Sequence, residues 1–241
     1  MGVRRVMVTG AAGRIGRAVL GLLAERGVPA AALVLDDPGD LPADLVVEGD
    51  ATDPAAVRAA LDGAGAVVHL AAIPTPEWEP AERVFAVNTQ STFTVLEEAG
   101  QAGIRHVCLA GSQAAGGLAF AARELHPAYA PIDDLLPSQA EDPYALSKLV
   151  DGLTAETMAR RYGMGVVTLR LPFVGGSGSG CASSPTGAPP IPGCTREGSG
   201  RTWRRGTRLG RACWRWTCRG RGRVPCWWPP PRRWCPSRRR S

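Results

Sequence analysis

Short apolar runs alternate with amphipathic stretches along the first three quarters of the chain. Six apolar runs of strand length predict β-strands at residues 3–9, 31–35, 45–48, 65–71, 104–110 and 165–171. Apolar residues at helical spacing predict helices between them, at residues 13–26, 54–62, 80–102 and 143–162. The strand runs are apolar throughout, as in strands that are covered on both faces. Strands that alternate with helices predict an α/β fold with a doubly wound parallel sheet.

This patterning stops near residue 177, where the composition changes abruptly. Residues 178–241 hold 15 arginines and one acid, Glu197, for a net charge of +14, whereas residues 1–177 carry a net charge of −8. The second segment also holds six of the seven tryptophans and six of the seven cysteines, but few aliphatic residues. Such a segment cannot bury enough apolar surface to offset the entropy lost on ordering. We therefore expect a globular domain at 1–177 and a disordered basic tail at 178–241.

Three interpretations of the tail are open. Arginine interleaved with tryptophan suits phosphate contacts and base stacking, as in a nucleic-acid-binding tail. A metal or disulfide module is disfavoured, because the tail has no C-x-x-C pair and no histidine. The whole chain has many arginines but one lysine and one asparagine, which indicates a GC-rich gene. Out of frame, such a gene yields mainly Arg, Gly, Pro, Ala, Ser, Trp and Cys codons, and we favour this origin over a natural disordered or nucleic-acid-binding tail.

Several functional classes are disfavoured by the composition. No apolar run approaches the roughly 18 residues that a membrane-spanning helix needs, and the N-terminus lacks the apolar core of a secretory signal. Cys108 is the single cysteine in residues 1–177, which fits a reducing cytoplasm. His106 and His126 have no accompanying cluster of ligand residues, so we expect no metal site.

The turn between the first predicted strand and the first predicted helix reads TGAAGRIG, with glycines three residues apart at Gly10, Gly13 and Gly16. Small residues there let backbone N–H groups approach a pyrophosphate, which the positive end of the helix dipole favours. Asp36 follows at the end of the second predicted strand, where a carboxylate receives the adenosine ribose hydroxyls, and Asp37 is the alternative. A carboxylate there disfavours the extra phosphate of NADP, so we expect NAD, although Arg14 in the turn suits either cofactor.

Two further elements carry side chains for acid–base chemistry. Asp142 as N-cap and Pro143 as first helical residue place a helix start just before Tyr144. Tyr144 and Lys148 then share one helix face, and the ammonium favours the phenolate form of a general acid or base. Ser112 follows the fifth predicted strand, at the edge where open parallel sheets bind ligands. Its hydroxyl either contacts the reacting oxygen or only satisfies the turn backbone.

Taken in order, these motifs resemble those of the extended short-chain dehydrogenase/reductase family, also called the NAD-dependent epimerase/dehydratase family. The matching segments are TGAAGRIG, Asp36, GDATD at 49–53, HLAA at 69–72, VNTQST at 87–92, Ser112 and YALSK at 144–148. The resemblance covers about residues 1–176 and is greatest to sugar-modifying members, such as uronate dehydrogenases and nucleotide-sugar epimerases. It implies a Rossmann domain with strand order 3-2-1-4-5-6 and hydride transfer between a sugar carbon and NAD.

The resemblance also implies roles for individual residues. Ser112, Tyr144 and Lys148 form the implied catalytic set: the serine positions the substrate oxygen, the tyrosine moves the hydroxyl proton, and the lysine assists the tyrosine and orients the nicotinamide ribose. The implied cofactor-binding set also includes Tyr144 and Lys148. Its other members are Gly10, Gly13, Arg14, Ile15 and Gly16 at the pyrophosphate turn, Asp36 at the ribose, Asp50 and Ala51 at the adenine, His69, Leu70, Ala71 and Ala72 along the cleft, and Asn88 as a structural residue.

Two departures from the family pattern limit the expected activity. The serine motif AGSQAAGG lacks a tyrosine that many members carry, which weighs against a 4-epimerase-like site. Family members continue past residue 176 into a substrate-binding region, where this chain has the basic tail. We therefore expect a cytoplasmic NAD-dependent oxidoreductase of the epimerase/dehydratase type, acting on a sugar, sugar acid or nucleotide sugar, with poor turnover by the chain as it stands.

Two alternative functions stay open, and a homodimer is also expected. The rivals are a catalytically inactive dinucleotide-binding protein and a nucleic-acid-binding protein that uses the basic tail. The resemblance further implies a homodimer that pairs through the helices predicted at 80–102 and 143–162.

Overall fold

The residues that the computed structural model describes are 5–174 and two short strands beyond them. The chain divides into two compact units, residues 1–180 and residues 181–241. The first unit contains every element that the sequence pattern predicts, and the candidate site lies within it.

Six strands of the first unit form one parallel sheet in the order β3-β2-β1-β4-β5-β6. The strands are β1 (Arg5–Thr9), β2 (Ala30–Val34), β3 (Leu45–Glu48), β4 (Ala64–His69), β5 (His106–Ser112) and β6 (Gly165–Leu171). The helices between them are α1 (Arg14–Glu25), α2 (Pro54–Ala60), α3 (Ala81–Gln101) and α4 (Pro143–Tyr162). The predicted α/β Rossmann fold and its strand order are confirmed.

The core lies on both faces of the sheet, because successive side chains of a strand point to opposite sides. One face packs against α2, α3 and α4, with Met7 and Leu109 among its buried strand residues. The other face packs against α1, with Val8 and Ala32 in the strands and Leu20 in the helix. This two-sided burial explains the continuous apolar runs of β1 and β2.

Helix α4 is held against α3 by a close approach of the two helices. Gly100 of α3 lies against the ring of Tyr162 of α4, and a Cβ atom there would lie only 2.2 Å from a ring carbon. The Tyr162 hydroxyl donates a 2.7 Å hydrogen bond to Glu97 of α3. These contacts fix the helix that carries Tyr144 and Lys148.

The element ends differ from the prediction where hydrogen bonding decides them. Strand β4 ends at His69 rather than at residue 71, because the next two N–H groups donate to the Thr9 hydroxyl instead of continuing the sheet. Strand β5 extends to Ser112, because β6 pairs with it as far as that residue. Strand β2 ends at Val34, so Asp36 lies in the loop beyond it. Helices α1, α2 and α3 are each slightly shorter than predicted.

Strand β6 ends the sheet order and has one poorly covered face. Val166 packs towards α2–α4, so Val167 and Leu169 face the opposite side of the sheet. These two side chains are 59% and 44% exposed. Among the described helices, only α1 packs on this side, against the other end of the sheet.

The second unit contributes one described feature, an antiparallel pair that the sequence pattern does not predict. Its strands are β7 (Arg205–Gly206) and β8 (Cys213–Trp214). The expected disorder of residues 178–241 and their out-of-frame origin otherwise lie outside the described residues.

Candidate active site

The ends of β1 and β4 are in register, and β5 continues three residues beyond them at the same edge of the sheet. Thr9 of β1 lies beside His69 of β4, and His69 lies beside Leu109 of β5. The glycine turn, the loop after β4 and the end of β5 therefore begin at the same edge, where open parallel sheets bind ligands.

The glycine turn has no room for larger side chains. Gly10 has a positive φ of 61°, and a Cβ atom there would lie 2.9 Å from the backbone nitrogen of Ala71. A Cβ atom on Gly16 would lie 2.4 Å from the carbonyl oxygen of Gly10. The turn thus folds against its own helix and against the loop after β4.

The N-terminus of α1 suits the negative charge of a pyrophosphate. Its N-cap residue is Gly13, no side chain caps its first N–H groups, and its first turn holds no acid. Such an end offers backbone donors and the positive end of a helix dipole. Ile15 is half-buried in that first turn, and Arg14 donates to the carbonyl oxygen of Val174 after β6. These residues fit a dinucleotide such as NAD.

The acidic residues at the expected adenosine end differ in whether their carboxylates already accept a hydrogen bond. Asp36 is exposed and forms no hydrogen bond or ion pair with the described residues, whereas the Asp37 carboxylate accepts from the N–H of Gly39 at 2.8 Å. Asp50 accepts from the N–H of Thr52 at 2.8 Å, and its neighbour Ala51 is buried. Of the two candidates for the ribose, Asp36 is the unengaged carboxylate.

The hydroxyl of Thr9 ties β1 to the loop after β4. Its oxygen accepts hydrogen bonds from the N–H groups of Leu70 and Ala71, at 3.1 and 3.0 Å. Because both acceptor positions are then used, the hydroxyl proton is donated to Nδ1 of His69, at 2.7 Å. The loop that includes Ala72 is therefore placed by a residue of the glycine-turn strand.

His69 is neutral and has a defined tautomer. Burial, together with the nearby charge of Lys148, lowers the pKa of His69 to about 3. Nδ1 accepts from Thr9, so Nε2 carries the proton and donates to the hydroxyl of Thr92, at 3.3 Å. His69 thus forms a buried bridge between β4 and α3, through Thr92.

Asn88 connects the loop after β4 to α4. Its amide accepts from the N–H of Ile73 at 2.7 Å and donates to the carbonyl oxygen of the same residue at 3.1 Å. It also donates to the hydroxyl of Ser147 at 3.1 Å, and Ser147 donates to the carbonyl oxygen of Tyr144. Its structural role follows from these bonds.

Helix α4 begins as the sequence predicts and brings Tyr144 to the end of β5. The carboxylate of Asp142 accepts from the N–H of Ala145, and Pro143 is the first helical residue. Tyr144 is buried beside Ala114, and its ring meets that of Phe120 edge to face at 5.8 Å. An apolar wall of this kind orients the phenol and restricts its access to water.

Lys148 lies one turn further along α4 and completes the group. Its Nζ lies 5.9 Å from the centre of the Tyr144 ring and donates to the carbonyl oxygen of Ala110 on β5, at 3.4 Å. It also donates to the carboxylate of Asp151 at 2.9 Å. Burial raises the pKa of the Asp151 carboxyl, and the Lys148 ammonium and the Thr92 hydroxyl oppose that rise.

Ser112 is the last residue of β5 and the N-cap of a short 3₁₀ helix, Gln113–Gly116. Its oxygen accepts a hydrogen bond from the N–H of Ala114 at 3.1 Å, so the hydroxyl does satisfy the backbone of the turn. The hydroxyl proton stays free to be donated to a ligand. Ser112 and Lys148 are thus both tied to the end of β5, and Tyr144 packs against the 3₁₀ helix.

The remaining candidates from the sequence take peripheral places. His106 and His126 are exposed, and no group of three His, Cys, Asp or Glu residues in the described segments could hold a metal ion. Cys108 is half-buried, and burial raises the pKa of its thiol. None of the helices that the structure describes combines the length and apolarity needed to cross a membrane.

The sequence analysis did not single out four polar residues of this site. Thr9, Thr92 and Ser147 lie within quoted motifs but carry no assigned role, and Asp151 lies outside both the motifs and the candidate sets. Asp151 had a detectable signal, because an acid three residues after a lysine shares its helix face. The bonds of Thr9 and Thr92 join separate strands and helices and leave no local pattern.

An open parallel sheet with a glycine turn at its carboxyl edge is characteristic of dinucleotide-binding folds. The profile of the NAD dependent epimerase/dehydratase family matches residues 6–190, and the chain belongs to this family.

Solved and curated relatives agree with this assignment. A short-chain dehydrogenase/reductase superfamily protein from Agrobacterium tumefaciens with bound NAD is 32% identical, with a TM-score of 0.61 over 69% of this chain and 48% of that one. UDP-glucose 4-epimerase from Brucella ovis in complex with NAD is 25% identical, with a TM-score of 0.62 over 69% and 51%. An NAD-dependent glucose-6-phosphate dehydrogenase from Haloferax volcanii is 35% identical over 117 residues, 46% of this chain and 44% of that protein. The chain therefore spans about half the length of these relatives.

The buried His69 predicts a specific acid sensitivity. Its pKa is about 3 in the folded protein and about 6.5 in an unfolded chain, so the unfolded chain binds the extra proton between these values. The contribution of neutral His69 to the free energy of unfolding is complete above pH 6.5 and is lost as the pH falls towards 3. When the pH falls from 7.5 to 5.5, the unfolding free energy of the parent should decrease by about 1 kcal/mol more than that of His69→Gln.

Urea unfolding at both pH values measures this difference. His126→Gln is the matched control, because His126 is exposed and should keep the parent's pH dependence. If the free energy of unfolding falls equally between the two pH values in the parent and in His69→Gln, His69 is not held neutral.

Proposed function

We propose that this chain is the cofactor-binding and catalytic half of an NAD-dependent oxidoreductase that acts on a sugar, a sugar acid or a nucleotide sugar. The observation that carries the proposal is the placement of Tyr144 and Lys148. Helix α4 holds both side chains against the end of β5, at the same sheet edge as the uncapped glycine turn. A dinucleotide that extends along this edge from the turn brings its nicotinamide towards the tyrosine.

Three side chains divide the work at the reacting carbon. NAD supplies the hydride acceptor when it is bound. The ionised Tyr144 side chain would accept the proton of the substrate hydroxyl as hydride leaves the carbon, and the resulting phenol would return that proton in the reverse direction. Ser112 donates its free proton to the substrate oxygen, and the ammonium of Lys148 stabilises the ionised phenol. The ring of Phe120 limits the access of water to the phenol.

The substrate class is inferred from the relatives and from what the site lacks. The names of two relatives give UDP-glucose and glucose 6-phosphate, both glucosyl compounds that carry phosphate. The motif AGSQAAGG lacks the family's additional tyrosine, and we therefore place oxidation ahead of 4-epimerisation.

NAD rather than NADP is the proposed working cofactor because of charge at the adenosine end. Asp36 offers an unengaged carboxylate two residues after β2. The cations of the turn are engaged elsewhere: Arg14 contacts Val174, and Arg17 forms a bidentate ion pair with Asp40. A 2′-phosphate would therefore meet negative rather than positive charge.

The half-length match favours one alternative function. Because the chain spans about half of its relatives, it could bind NAD without completing a substrate site. The discriminating measurement is NAD binding, by quenching of tryptophan fluorescence, followed by NAD reduction in the presence of uronic acids, hexose phosphates and UDP-sugars. Binding without any reduction would favour the inactive dinucleotide-binding protein.

We also propose that two chains pair through α3 and α4. The outer side of these helices exposes large apolar residues: Phe93 is 46% exposed, Leu146 is 47% exposed and Leu153 is 62% exposed. Burying this surface against a second copy would remove it from water. A cytoplasmic location is proposed as well, supported by the free thiol of Cys108.

Tyr144→Phe should separate catalysis from binding. The phenol moves the proton but contributes little to cofactor affinity, so we expect NAD-dependent turnover to fall by about 10²- to 10⁴-fold. NAD affinity should stay within about threefold of the parent. Lys148→Ala should weaken both, because the lysine serves the tyrosine and the ribose. Substrate oxidation is followed at 340 nm, and parent-like turnover by the phenylalanine variant would remove the assigned role.

Asp36→Ala tests the choice of cofactor. The parent should bind NAD at least about tenfold more tightly than NADP, because a carboxylate near the 2′-phosphate costs about 1–2 kcal/mol. The variant should lose most of this preference. Asp37→Ala is the matched control and should keep it. If the control loses the preference instead, Asp37 is the ribose ligand; equal affinities in the parent would contradict both assignments.

Charged substitutions on the proposed dimer surface should produce monomers. Leu153→Arg and Phe93→Arg place an ion in the buried interface, which is unfavourable without a partner charge. Leu22→Arg is the control, since Leu22 is 48% exposed on α1 at the other face of the sheet. Sedimentation velocity at about 20 μM should give a dimer for the parent and the control, and a monomer for the two variants. A monomeric parent would overturn the proposal.

A further inference from the structure

Lys148 and Asp151 form a buried ion pair at the centre of the candidate site. The two charged atoms lie 2.9 Å apart, and the side chains are only 5% and 1% exposed. The other ion pairs of the described segments include at least one partner with substantial exposure. Lys148 is also the one lysine in the whole chain. A buried pair of this kind is expensive to form, so its presence next to Tyr144 calls for a functional reason.

Asp151 is the only carboxylate that contacts the Lys148 ammonium among the described residues. The other contact of Nζ is the carbonyl oxygen of Ala110, at 3.4 Å, which carries no full charge. The titratable groups nearby are Tyr144 on the same helix and His69 on β4, and His69 is neutral. No other described group can replace the carboxylate as counter-charge for the ammonium.

Asp151 lies beside Thr92 of α3. The Thr92 hydroxyl lies beside the carboxylate and favours its ionised form. No hydrogen bond of normal geometry reaches Oδ1, so the carboxylate has one committed oxygen, which faces Lys148, and one unfilled oxygen. Thr92 also accepts from Nε2 of His69, whose other nitrogen accepts from Thr9. Contacts from β1, β4 and α3 thus converge on the acid that holds the lysine.

We propose that Asp151 is a positioning residue that keeps Lys148 charged and directed at the reaction centre. Without the carboxylate, an ammonium that is only 5% exposed would lack a counter-charge. It would then lose its proton or move out towards water, because burying an unpaired ion is strongly unfavourable. Either change removes the cation from Tyr144 and from the nicotinamide ribose. The proposal rests on the proposed function for the role of Lys148, but the state of the lysine can be measured without turnover.

The single lysine makes a direct measurement possible. In the full chain labelled with [¹³Cε]lysine, Lys148 gives one side-chain NMR signal whose shift distinguishes ammonium from amine. We expect the parent to show a rigid ammonium signal at pH 8. In Asp151→Asn the signal should move towards the amine position or become narrow and mobile. An unchanged shift and linewidth in the variant would overturn the proposal.

Glu98→Gln is the matched control. Glu98 is a buried acid of α3 that pairs with Arg58 at 2.9 Å, so its loss also breaks an ion pair of the same fold. This variant should leave the lysine signal unchanged. NAD affinity should fall by about threefold to tenfold in Asp151→Asn and stay within about twofold in Glu98→Gln. Equal losses of affinity in both variants would mean that Asp151 supports only the fold.

Two further outcomes separate this proposal from the proposed function. If the parent shows the rigid ammonium signal and its loss in Asp151→Asn, but no sugar is oxidised, the positioning role stands and the oxidoreductase function fails. If Asp151→Asn does not fold, Lys148→Met combined with Asp151→Leu should restore folding, because no unpaired ion remains. A double variant that is as unstable as the single one would overturn the proposal.

Discussion

The arrangement of the candidate site depends on the hydrogen bonds of the Thr9 hydroxyl. One oxygen accepts two backbone N–H groups after β4 and donates its proton to His69. This arrangement ends β4, turns the following loop over the glycine turn and sets the tautomer of the histidine. Because the bond between Thr9 and His69 is buried, leaving it unmade would cost on the order of 1–3 kcal/mol. The geometry of the cofactor edge therefore depends on the hydrogen bonds of a side chain that need not contact cofactor itself.

The fold and the linear motifs could be predicted from the sequence, because they arise from local periodicity. Alternating apolar runs gave all six strands of the sheet, and Asp142 with Pro143 gave the start of α4 within a residue. The network around Lys148 could not be predicted in the same way. Its members come from β1, β4, α3 and α4, and threonine and histidine at those positions look like ordinary strand or helix residues. Strand ends were misplaced for the same reason: the bond that ends β4 comes from a residue 60 positions earlier.

The first unit has a sheet with a two-sided core, and its catalytic candidates meet at one edge. Its last strand, β6, leaves Val167 and Leu169 largely in contact with water, although both follow the apolar pattern of a covered strand. The pattern of β6 is thus that of an interior strand, and its surroundings are those of an edge.

Burial of the single lysine has a practical consequence for chemical labelling. Amine-directed reagents, such as activated esters and aldehydes, react with lysine side chains that reach solvent. The one lysine side chain of this chain is Lys148, which is 7% exposed and engaged with Asp151. Attachment of a dye or a solid support to this side chain through such reagents would therefore be slow. Reaction at Lys148 would first require its ion pair with Asp151 to open, and the rate of labelling would report how often that pair opens.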